Sequence, residues 1–292
     1  MKPILQLLRI HQWVKNLFIF IPAFFAGVLL EFGNLETLLL GFFCFSFVAS
    51  AIYVLNDYRD MEADRNHPEK KFRPLAAGTV GLPVAFAAAV VLLCAGLILA
   101  YILAFNFFVV ILLYVAINLA YSQGLKNISI LDIFIVASGF VLRTIAGGFL
   151  IDVAISKWLL IMVFLLALFL ALAKRLDDLL IVERGGKVSR KNMENYNLNF
   201  IYSGITMIAG IIMVSYLMYT ISDDVMERLK SEHLYITSIF VIAGLLRYLQ
   251  ITLVEQRSGS PTRIFFTDKF IILTLLGWIL SFVMIIYFNR GL

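Results

Sequence analysis

Apolar residues occur along this chain in runs of membrane-spanning length, separated by short polar connections. Because a helix needs about 20 apolar residues to cross the hydrocarbon core, each run predicts one transmembrane helix. Nine helices are predicted, at residues 17–31, 37–55, 82–104, 105–122, 131–150, 157–173, 201–221, 234–251 and 270–288. Only Ala104, Phe105 and Asn106 offer a turn between the third and fourth helices, so the count depends on that turn.

The composition places the chain among membrane proteins. Of its 292 residues, 62% are hydrophobic and 15% are charged, with a mean hydropathy of +0.94. These values argue against a water-soluble globular domain and exclude the disordered and disulfide-stapled classes. We therefore predict an all-α, polytopic membrane protein with one transmembrane catalytic domain over residues 1–292. Cys44 and Cys94 each lie inside an apolar run, which favours buried thiols over a disulfide or a metal site.

Basic residues predict the orientation. With a cytoplasmic N-terminus, most of the 24 Lys and Arg residues fall on the cytoplasmic side of nine spans, as the positive-inside rule requires. We expect a multi-pass protein of the plasma (inner) membrane, with active-site loops at about 56–80, 122–131 and 174–200 facing the cytoplasm. The net charge of +5 fits anionic lipid and an anionic substrate. The sequence has no basic patch with interleaved aromatic residues, so it gives no indication that the protein binds nucleic acid.

The strongest chemical signal follows the second apolar run. Asp57, Asp60 and Asp64 stand at i, i+3 and i+7, within about 60° of one face if the helix continues through them. Carboxylates crowded in this way repel one another unless a cation offsets them. Oxygen ligands without His or Cys favour Mg²⁺, which typically binds substrate phosphates as well. The neighbouring Asn56 is a further candidate ligand, and the alternative interpretation is a solvated helix end.

Other polar residues surround this signal on the same predicted side of the membrane. Basic residues beside a carboxylate face suit a polyanion lying between them. His67, beside Pro68, is interpreted as a turn residue. Arg143 lies well inside an apolar run, which predicts an interior position with a partner. The remaining candidates for binding substrate are Gln12, Lys15, Arg65, Lys70, Arg73, Tyr121, Lys126, Asp132, Lys174, Arg175 and Asp178.

The acidic motif Asn56-Asp57-x-x-Asp60-x-x-x-Asp64 resembles the first signature of the UbiA superfamily of intramembrane prenyltransferases. Within that superfamily the chain is most similar to the decaprenyl-phosphate phosphoribosyltransferase branch. The segments that carry this likeness are Gln12-Trp13-Val14-Lys15-Asn16, His67-Pro68-x-Lys70-Lys71-x-Arg73-Pro74, Gly139-Phe140-Val141-Leu142-Arg143-x-Ile145-Ala146-Gly147-Gly148 and Lys174-Arg175. The chain lacks the second Asp-x-x-x-Asp motif of the aromatic prenyltransferases, having adjacent Asp177 and Asp178 instead.

The resemblance implies Mg²⁺-dependent transfer of 5-phosphoribosyl from phosphoribosyl pyrophosphate to decaprenyl phosphate or a similar polyprenyl phosphate. By this likeness, Asp57, Asp60, Asp64 and Asn56 hold Mg²⁺ and its diphosphate. Arg65, Lys70, Arg73 and Lys126 would bind donor phosphates, and Tyr121 and Asp132 would shape the ribose end. Gln12, Lys15 and Arg143 would meet the acceptor phosphate, and Lys174 and Arg175 both substrates. Asp178 matches an acidic position of the branch.

Two other functions stay open on the sequence. One is a UbiA-type enzyme that transfers a prenyl group from a prenyl diphosphate to an aromatic or other acceptor. The other is a membrane transporter, which would favour polar residues at mid-membrane and broken helices in paired halves. Polarity here collects on one face instead, which favours surface chemistry. The resemblance is compatible with a homo-oligomer, although no lipid-facing motif indicates one.

Overall fold

The computed structural model describes residues 2–66, 70–183, 195–256, 264 and 266–288. Regular structure in these ranges is helical, without a strand. The α-helices are α1 (Lys2–Leu7), α2 (Ile21–Ala26), α3 (Phe32–Arg59), α4 (Met61–Arg65), α5 (Leu82–Leu103), α6 (Phe105–Gln123), α7 (Leu131–Leu150), α8 (Lys157–Glu183), α9 (Leu198–Thr220), α10 (Asp223–Leu229), α11 (Ser238–Leu249) and α12 (Lys269–Val283). Short 3₁₀ helices cover Ile10–Phe20, Lys70–Phe72, Leu125–Asn127 and Leu234–Thr237, and π-helical turns extend α11 through Gln250–Val254 and α12 through Met284–Phe288.

Eight helices in the described ranges are long and apolar enough to cross a membrane, and they correspond to eight of the nine predicted spans. The turn between the third and fourth predicted spans is confirmed. Ala104 adopts an extended conformation (φ −165°, ψ 137°), which separates α5 from α6. The all-α, polytopic fold class is therefore confirmed.

The first predicted span, 17–31, has a different local structure from the others. The 3₁₀ helix Ile10–Phe20 runs directly into α2, which ends at Gly27 in the left-handed region (φ 71°). At about 2.0 Å per 3₁₀ residue and 1.5 Å per α-helical residue, this continuous run is about 30 Å long, close to the hydrocarbon thickness. It is not a single α-helix, so the count of nine spans stays a prediction.

The helices divide into two compact units. The first comprises residues 1–128 and 139–154, so that it contains the later part of α7. Helix α3 lies in its core and packs closely on α5, where a Cβ added at Gly96 would lie 2.6 Å from Val48 Cγ2. Cys44 is buried there and its thiol donates to the Gly96 carbonyl (3.0 Å).

The cysteine prediction holds for Cys44 and is wrong for Cys94. Both thiols are free, but Cys94 is exposed on the surface of α5. In a membrane helix both the protein-facing and the lipid-facing positions are apolar, so an apolar run does not reveal which residues are buried.

The second unit comprises residues 129–138 and 155–292. Within it α8 packs along α9, and α11 packs along α12. Side-chain caps begin two of these helices: Asn197 accepts from Phe200 N–H (2.8 Å), and Asp268 accepts from Ile271 N–H (3.0 Å). Such caps satisfy backbone donors at a helix start. The buried hydroxyl of Tyr216 in α9 accepts a hydrogen bond from Trp278 Nε1 of α12 (2.6 Å).

Gly147 of α7 lies directly against the backbone of the 3₁₀ helix Ile10–Phe20. A Cβ at this position would lie 1.9 Å from the Ile19 carbonyl oxygen, a backbone atom that cannot rotate away. We expect Gly147→Ala to separate α7 from the 3₁₀ helix and to destabilise the protein by about 1–3 kcal/mol or more. Thermal unfolding in detergent measures this loss.

The matched control is Gly210→Ala in α9, where an added Cβ would meet nothing within 4 Å. Because alanine favours helix over glycine, this variant should unfold at or above the wild-type temperature. Equal melting temperatures for Gly147→Ala and wild type would contradict the close approach.

Candidate active site

The acidic motif spans a helix break rather than one continuous helix. Helix α3 ends at Arg59, Asp60 takes a bridge conformation (φ −90°, ψ 0°), and α4 begins at Met61. The condition for three carboxylates on a single helix face, one helix continuing through the motif, is therefore not met. The break occurs because Asp60 leaves the helical region, so side chains on its two sides are positioned by different helices.

Asp57 and Asp64 nevertheless meet, because one guanidinium joins them. Arg73 Nη1 donates to Asp64 Oδ2 (2.5 Å) and to Asp57 Oδ1 (3.2 Å). Both carboxylates are only 3% exposed, whereas the Arg73 side chain retains 28% exposure. A buried carboxylate needs a cation and hydrogen bonds to remain ionised. Arg73 supplies both to the two acids.

A second guanidinium reaches Asp57 from the N-terminal segment. Arg9 Nη2 donates to Asp57 Oδ1, and its guanidinium lies over the Tyr53 ring, 5.1 Å from the centroid. Arg9 has a left-handed backbone (φ 50°) between α1 and the following 3₁₀ helix. Ser50 anchors that turn, since its hydroxyl donates to the Leu8 carbonyl (2.8 Å). These contacts hold Arg9 against the acid.

Sequence reasoning missed Arg9 as a site residue. It precedes the first apolar run and has the appearance of an orientation signal, like other basic residues near a membrane. Its contact with Asp57 joins positions 48 residues apart. No local spacing encodes such a contact.

Asp60 binds a different cation from its two neighbours. Lys126 Nζ lies 2.5 Å from Asp60 Oδ1, which joins the helix break to the 3₁₀ turn after α6. Close by in sequence, Asn56 Oδ1 accepts from the Ser122 hydroxyl at the end of α6. The motif and the polar link after α6 are therefore brought together, as their shared polarity predicts.

Several other predicted binding residues lie in the first unit. Arg65 is on the exposed side of α4, where it donates to Glu62 Oε1 (2.7 Å). Half-buried positions are found for Gln12, Lys15, Lys70 and Tyr121. Their substrate contacts stay predictions.

Arg143 is buried and has several hydrogen-bond partners, as its position inside an apolar run predicts. It is 4% exposed, and its Nε donates to Asn16 Oδ1 (2.7 Å). Nη1 donates to the Gly139 carbonyl (2.7 Å) and Nη2 to the Tyr114 hydroxyl (3.0 Å). The guanidinium also lies 4.8 Å from the centroid of the Phe45 ring. These contacts tie α7 to the 3₁₀ helix and to α6; contact with an acceptor phosphate stays a prediction.

The remaining candidates belong to the second unit. Arg175 of α8 donates through Nη2 to Asp132 Oδ2 (2.6 Å) and through Nη1 to Asp178 Oδ2 (3.3 Å). Tyr196, which the sequence did not single out, donates to Asp132 Oδ1 (3.0 Å). Lys174 is exposed. Four side chains thus form one polar cluster at the beginning of α7 and the end of α8.

Some predicted features fall outside the described residues. These are the turn at His67 and residues 184–194 of the predicted loop 174–200.

The chemistry of the donor set around Asp57 fits Mg²⁺ bound together with a phosphate. Carboxylate and amide oxygens are the ligands that this hard cation prefers. The described residues contain no group of three or more His, Cys, Asp or Glu side chains placed to hold a metal ion. Mg²⁺ usually keeps several waters and takes one or two carboxylates plus substrate phosphates, so it does not require such a group.

Arg73 should be a stability determinant because two buried acids share it. Arg73→Met leaves Asp57 and Asp64 short of a cation, and we expect a loss of about 2 kcal/mol, reduced from a fully buried pair by the exposure of Arg73. Thermal unfolding in detergent tests this. Arg65→Met, which breaks an exposed pair with Glu62, should change stability by less than about 0.5 kcal/mol. Equal losses in the two variants would contradict the shared role of Arg73.

Comparison with known proteins gives the family. Residues 19–271 match the model of the UbiA prenyltransferase family. The decaprenyl-phosphate phosphoribosyltransferase of Mycolicibacterium smegmatis is 33% identical, over 98% of this chain and 93% of that protein. The Corynebacterium glutamicum protein of the same name is also 33% identical, over 97% of this chain and 86% of that protein.

A solved structure shares the fold. The UbiA homologue from Archaeoglobus fulgidus bound to GPP and Mg²⁺ aligns with a TM-score of 0.73 and 19% identity, covering 98% of this chain and 99% of that chain. The resemblance noted in the sequence is thereby confirmed, and the chain belongs to the UbiA prenyltransferase family.

Proposed function

We propose that this protein transfers the 5-phosphoribosyl group of phosphoribosyl pyrophosphate to a polyprenyl phosphate, decaprenyl phosphate or a similar lipid, with release of pyrophosphate. The observation that carries the proposal is the 33% identity to decaprenyl-phosphate phosphoribosyltransferases over nearly the whole chain. The product would be a lipid-linked pentose donor. We further propose that the reaction takes place at the cytoplasmic face of the plasma membrane.

The chemistry of this reaction suits the residues present. The C1–oxygen bond to pyrophosphate breaks, and an oxygen of the lipid phosphate forms the new bond to C1. Negative charge develops on the departing pyrophosphate while positive charge develops on the ribose ring. The main catalytic requirement is therefore fixed cations around the leaving group. The acceptor phosphate is already an anionic nucleophile, so no strong base is required.

The cluster around Asp57 has the composition that a pyrophosphate site requires. Arg9, Arg73 and Lys126 are held by carboxylates, which aim the cations before substrate arrives. Pre-oriented charges of this kind lower the cost of reorganisation during the reaction. We propose that all three bind donor phosphates, together with Lys70 and Arg65.

Asp57, Asp60, Asp64 and Asn56 are the residues that would hold Mg²⁺ in this proposal. When bound, the ion would neutralise charge on the pyrophosphate leaving group. The protein residues position the donor: the acids orient the guanidinium and ammonium groups, and the tie between Ser122 and Asn56 fixes the end of α6 beside the motif.

The other substrate contacts are proposed from the family likeness. Gln12, Lys15 and Arg143 would serve the acceptor phosphate, Tyr121 would lie at the ribose end, and Lys174 would serve both substrates. The geometry changes the assignment of two residues. Asp132 and Arg175 are almost fully buried and bonded to each other, so we assign them to support rather than to direct contact.

A second candidate function is favoured by the structural neighbour bound to GPP and Mg²⁺. In this alternative the protein transfers a prenyl group from a prenyl diphosphate, and the same acidic motif would serve that diphosphate. The two functions differ in the donor, so a donor assay separates them. A transporter would give no covalent product with either donor.

The direct test uses purified wild-type protein in detergent. Phosphoribosyl pyrophosphate labelled in the ribose, polyprenyl phosphate and Mg²⁺ should give a labelled product that partitions into organic solvent. Geranyl diphosphate with 4-hydroxybenzoate should give no prenylated product. The opposite pattern would contradict phosphoribosyl transfer and support the alternative.

Asp57→Asn should reduce turnover by at least about 100-fold, because the variant loses the charge that orients Arg9 and Arg73 and would hold the metal. Its folding is checked by thermal unfolding and gel filtration. Glu62→Gln is the matched control, since Glu62 is an exposed acid in the same motif that pairs only locally with Arg65. It should keep near-wild-type turnover. A folded, active Asp57→Asn variant would remove Asp57 from the site.

A further inference from the structure

Every acid of the motif already contacts a basic side chain of the protein. The ion pairs join Asp57 to Arg9 and Arg73, Asp64 to Arg73, and Asp60 to Lys126. A divalent cation held by these carboxylates would lie close to the same basic groups, and like charges at short distance repel one another. Cation binding at this motif therefore requires at least one ion pair to change.

Arg73 occupies the position where this conflict is sharpest. Its Nη1 lies 2.5 Å from Asp64 Oδ2 and 3.2 Å from Asp57 Oδ1, so one positive charge already lies between the two acids. The helix break at Asp60 puts these acids on different helices, α3 and α4, and the guanidinium joins them. A divalent cation bridging both acids would compete with Arg73 for the same place.

Arg73 is the basic group of the cluster that is able to leave its acids. Its side chain is 28% exposed, whereas those of Asp57 and Asp64 are 3% and 5% exposed. Both of its ion pairs use Nη1, and Nε and Nη2 make no hydrogen bond to the residues that the structure describes. These two nitrogens are therefore available to an anion that approaches from solvent.

Arg9 differs from Arg73 in how it is held. Its backbone turn is anchored by the Ser50 hydroxyl, and its guanidinium lies over the Tyr53 ring, 5.1 Å from the centroid. Its side chain is also less exposed than that of Arg73, at 21%. Arg9 therefore stays beside Asp57 as a fixed cation when Arg73 moves.

Neither a divalent cation nor a diphosphate alone completes an exchange at this site. The cation alone would leave the Arg73 guanidinium without its carboxylates and next to a second positive charge. A diphosphate alone would lie beside ionised carboxylates, which repel it. With both ligands present, the acids keep a cation and the guanidinium gains phosphate oxygens, which suit its bidentate geometry.

We infer that Arg73 makes the cluster around Asp57 accept a divalent cation and a diphosphate only together, because its guanidinium occupies the place between Asp57 and Asp64 until it transfers to the diphosphate. This inference rests on the proposed function, in which the cluster binds the pyrophosphate of the donor. Linkage makes the effect reciprocal: the diphosphate raises the affinity for the cation by the same factor as the cation raises the affinity for the diphosphate.

The first test uses wild-type protein in detergent, with Mg²⁺ and inorganic pyrophosphate as probes and no other substrate. Mg²⁺ alone and pyrophosphate alone should each change the melting temperature by less than about 1 °C, and the two together should raise it by about 3–6 °C. A rise with Mg²⁺ alone that equals the rise with both ligands would overturn the inference.

The second test removes the guanidinium and omits pyrophosphate. Arg73→Met should melt below wild type in a chelator, and millimolar Mg²⁺ should restore about half of the loss or more, because the ion then has the place between the two acids. Arg59→Met is the matched control, since it removes the same charge from an exposed residue at the end of α3. It should melt like wild type with and without Mg²⁺.

A Mg²⁺ response that is absent from Arg73→Met, or is equally large in Arg59→Met, would overturn the inference. Combining Arg73→Met with Asp64→Asn removes one cation and one acid together. This double variant should melt closer to wild type and lose the Mg²⁺ response, and an undiminished response would also overturn the inference. If Arg73→Met does not fold, the wild-type measurement and the double variant decide.

The donor assay separates this inference from the proposed function. Lipid product from phosphoribosyl pyrophosphate, together with a wild-type protein that Mg²⁺ alone stabilises, would overturn the inference and leave the proposed function standing. Joint stabilisation by Mg²⁺ and pyrophosphate without any product from phosphoribosyl pyrophosphate would contradict phosphoribosyl transfer and support the role of Arg73 at a diphosphate site.

Discussion

The first unit is organised around a buried carboxylate, Asp57, and the two guanidinium groups that neutralise it. An ionised carboxylate with 3% exposure costs several kcal/mol unless cations and hydrogen bonds compensate it. Arg9 and Arg73 provide this compensation, and in doing so they hold the N-terminal segment and the connection after α4 against the end of α3. A stability requirement thereby places two cations beside acids at the end of a membrane-spanning helix, which is the arrangement that a pyrophosphate site needs.

Neutralisation of a buried charge also organises the second unit, but there the buried charge is positive. There a buried guanidinium, Arg175, is enclosed by carboxylates, and a tyrosine fixes the deeper one. In each unit a charged side chain that could not be buried alone is stabilised by opposite charge from a distant part of the sequence. Each cluster lies at a helix end, where polar groups can remain near the membrane surface while the helix bodies stay apolar.

Periodicity and composition predict the helices of this protein well, because membrane-spanning runs are long and separated by polar turns. Even the turn at Ala104 was predictable. The break at Asp60 was not, since no Gly or Pro marks it and a continuous helix satisfies the same spacing. The exposure of Cys94 could not be predicted either, because lipid-facing and protein-facing positions are both apolar. Residue types at Asp57, Arg73 and Lys126 indicated the charged cluster of the first unit, and Arg175 indicated that of the second. Arg9 belongs to the first cluster and Tyr196 to the second through contacts across 48 and 64 residues, respectively.

We propose that the Asp57 cluster binds the pyrophosphate of the donor together with Mg²⁺. Equilibrium binding of labelled phosphoribosyl pyrophosphate to purified protein, without an acceptor lipid, measures this step apart from turnover. Wild-type protein should bind the donor only when Mg²⁺ is present, and Asp57→Asn should lose that binding while Glu62→Gln keeps it. Donor binding that is unchanged in a folded Asp57→Asn protein, or that needs no divalent cation, would contradict the claim.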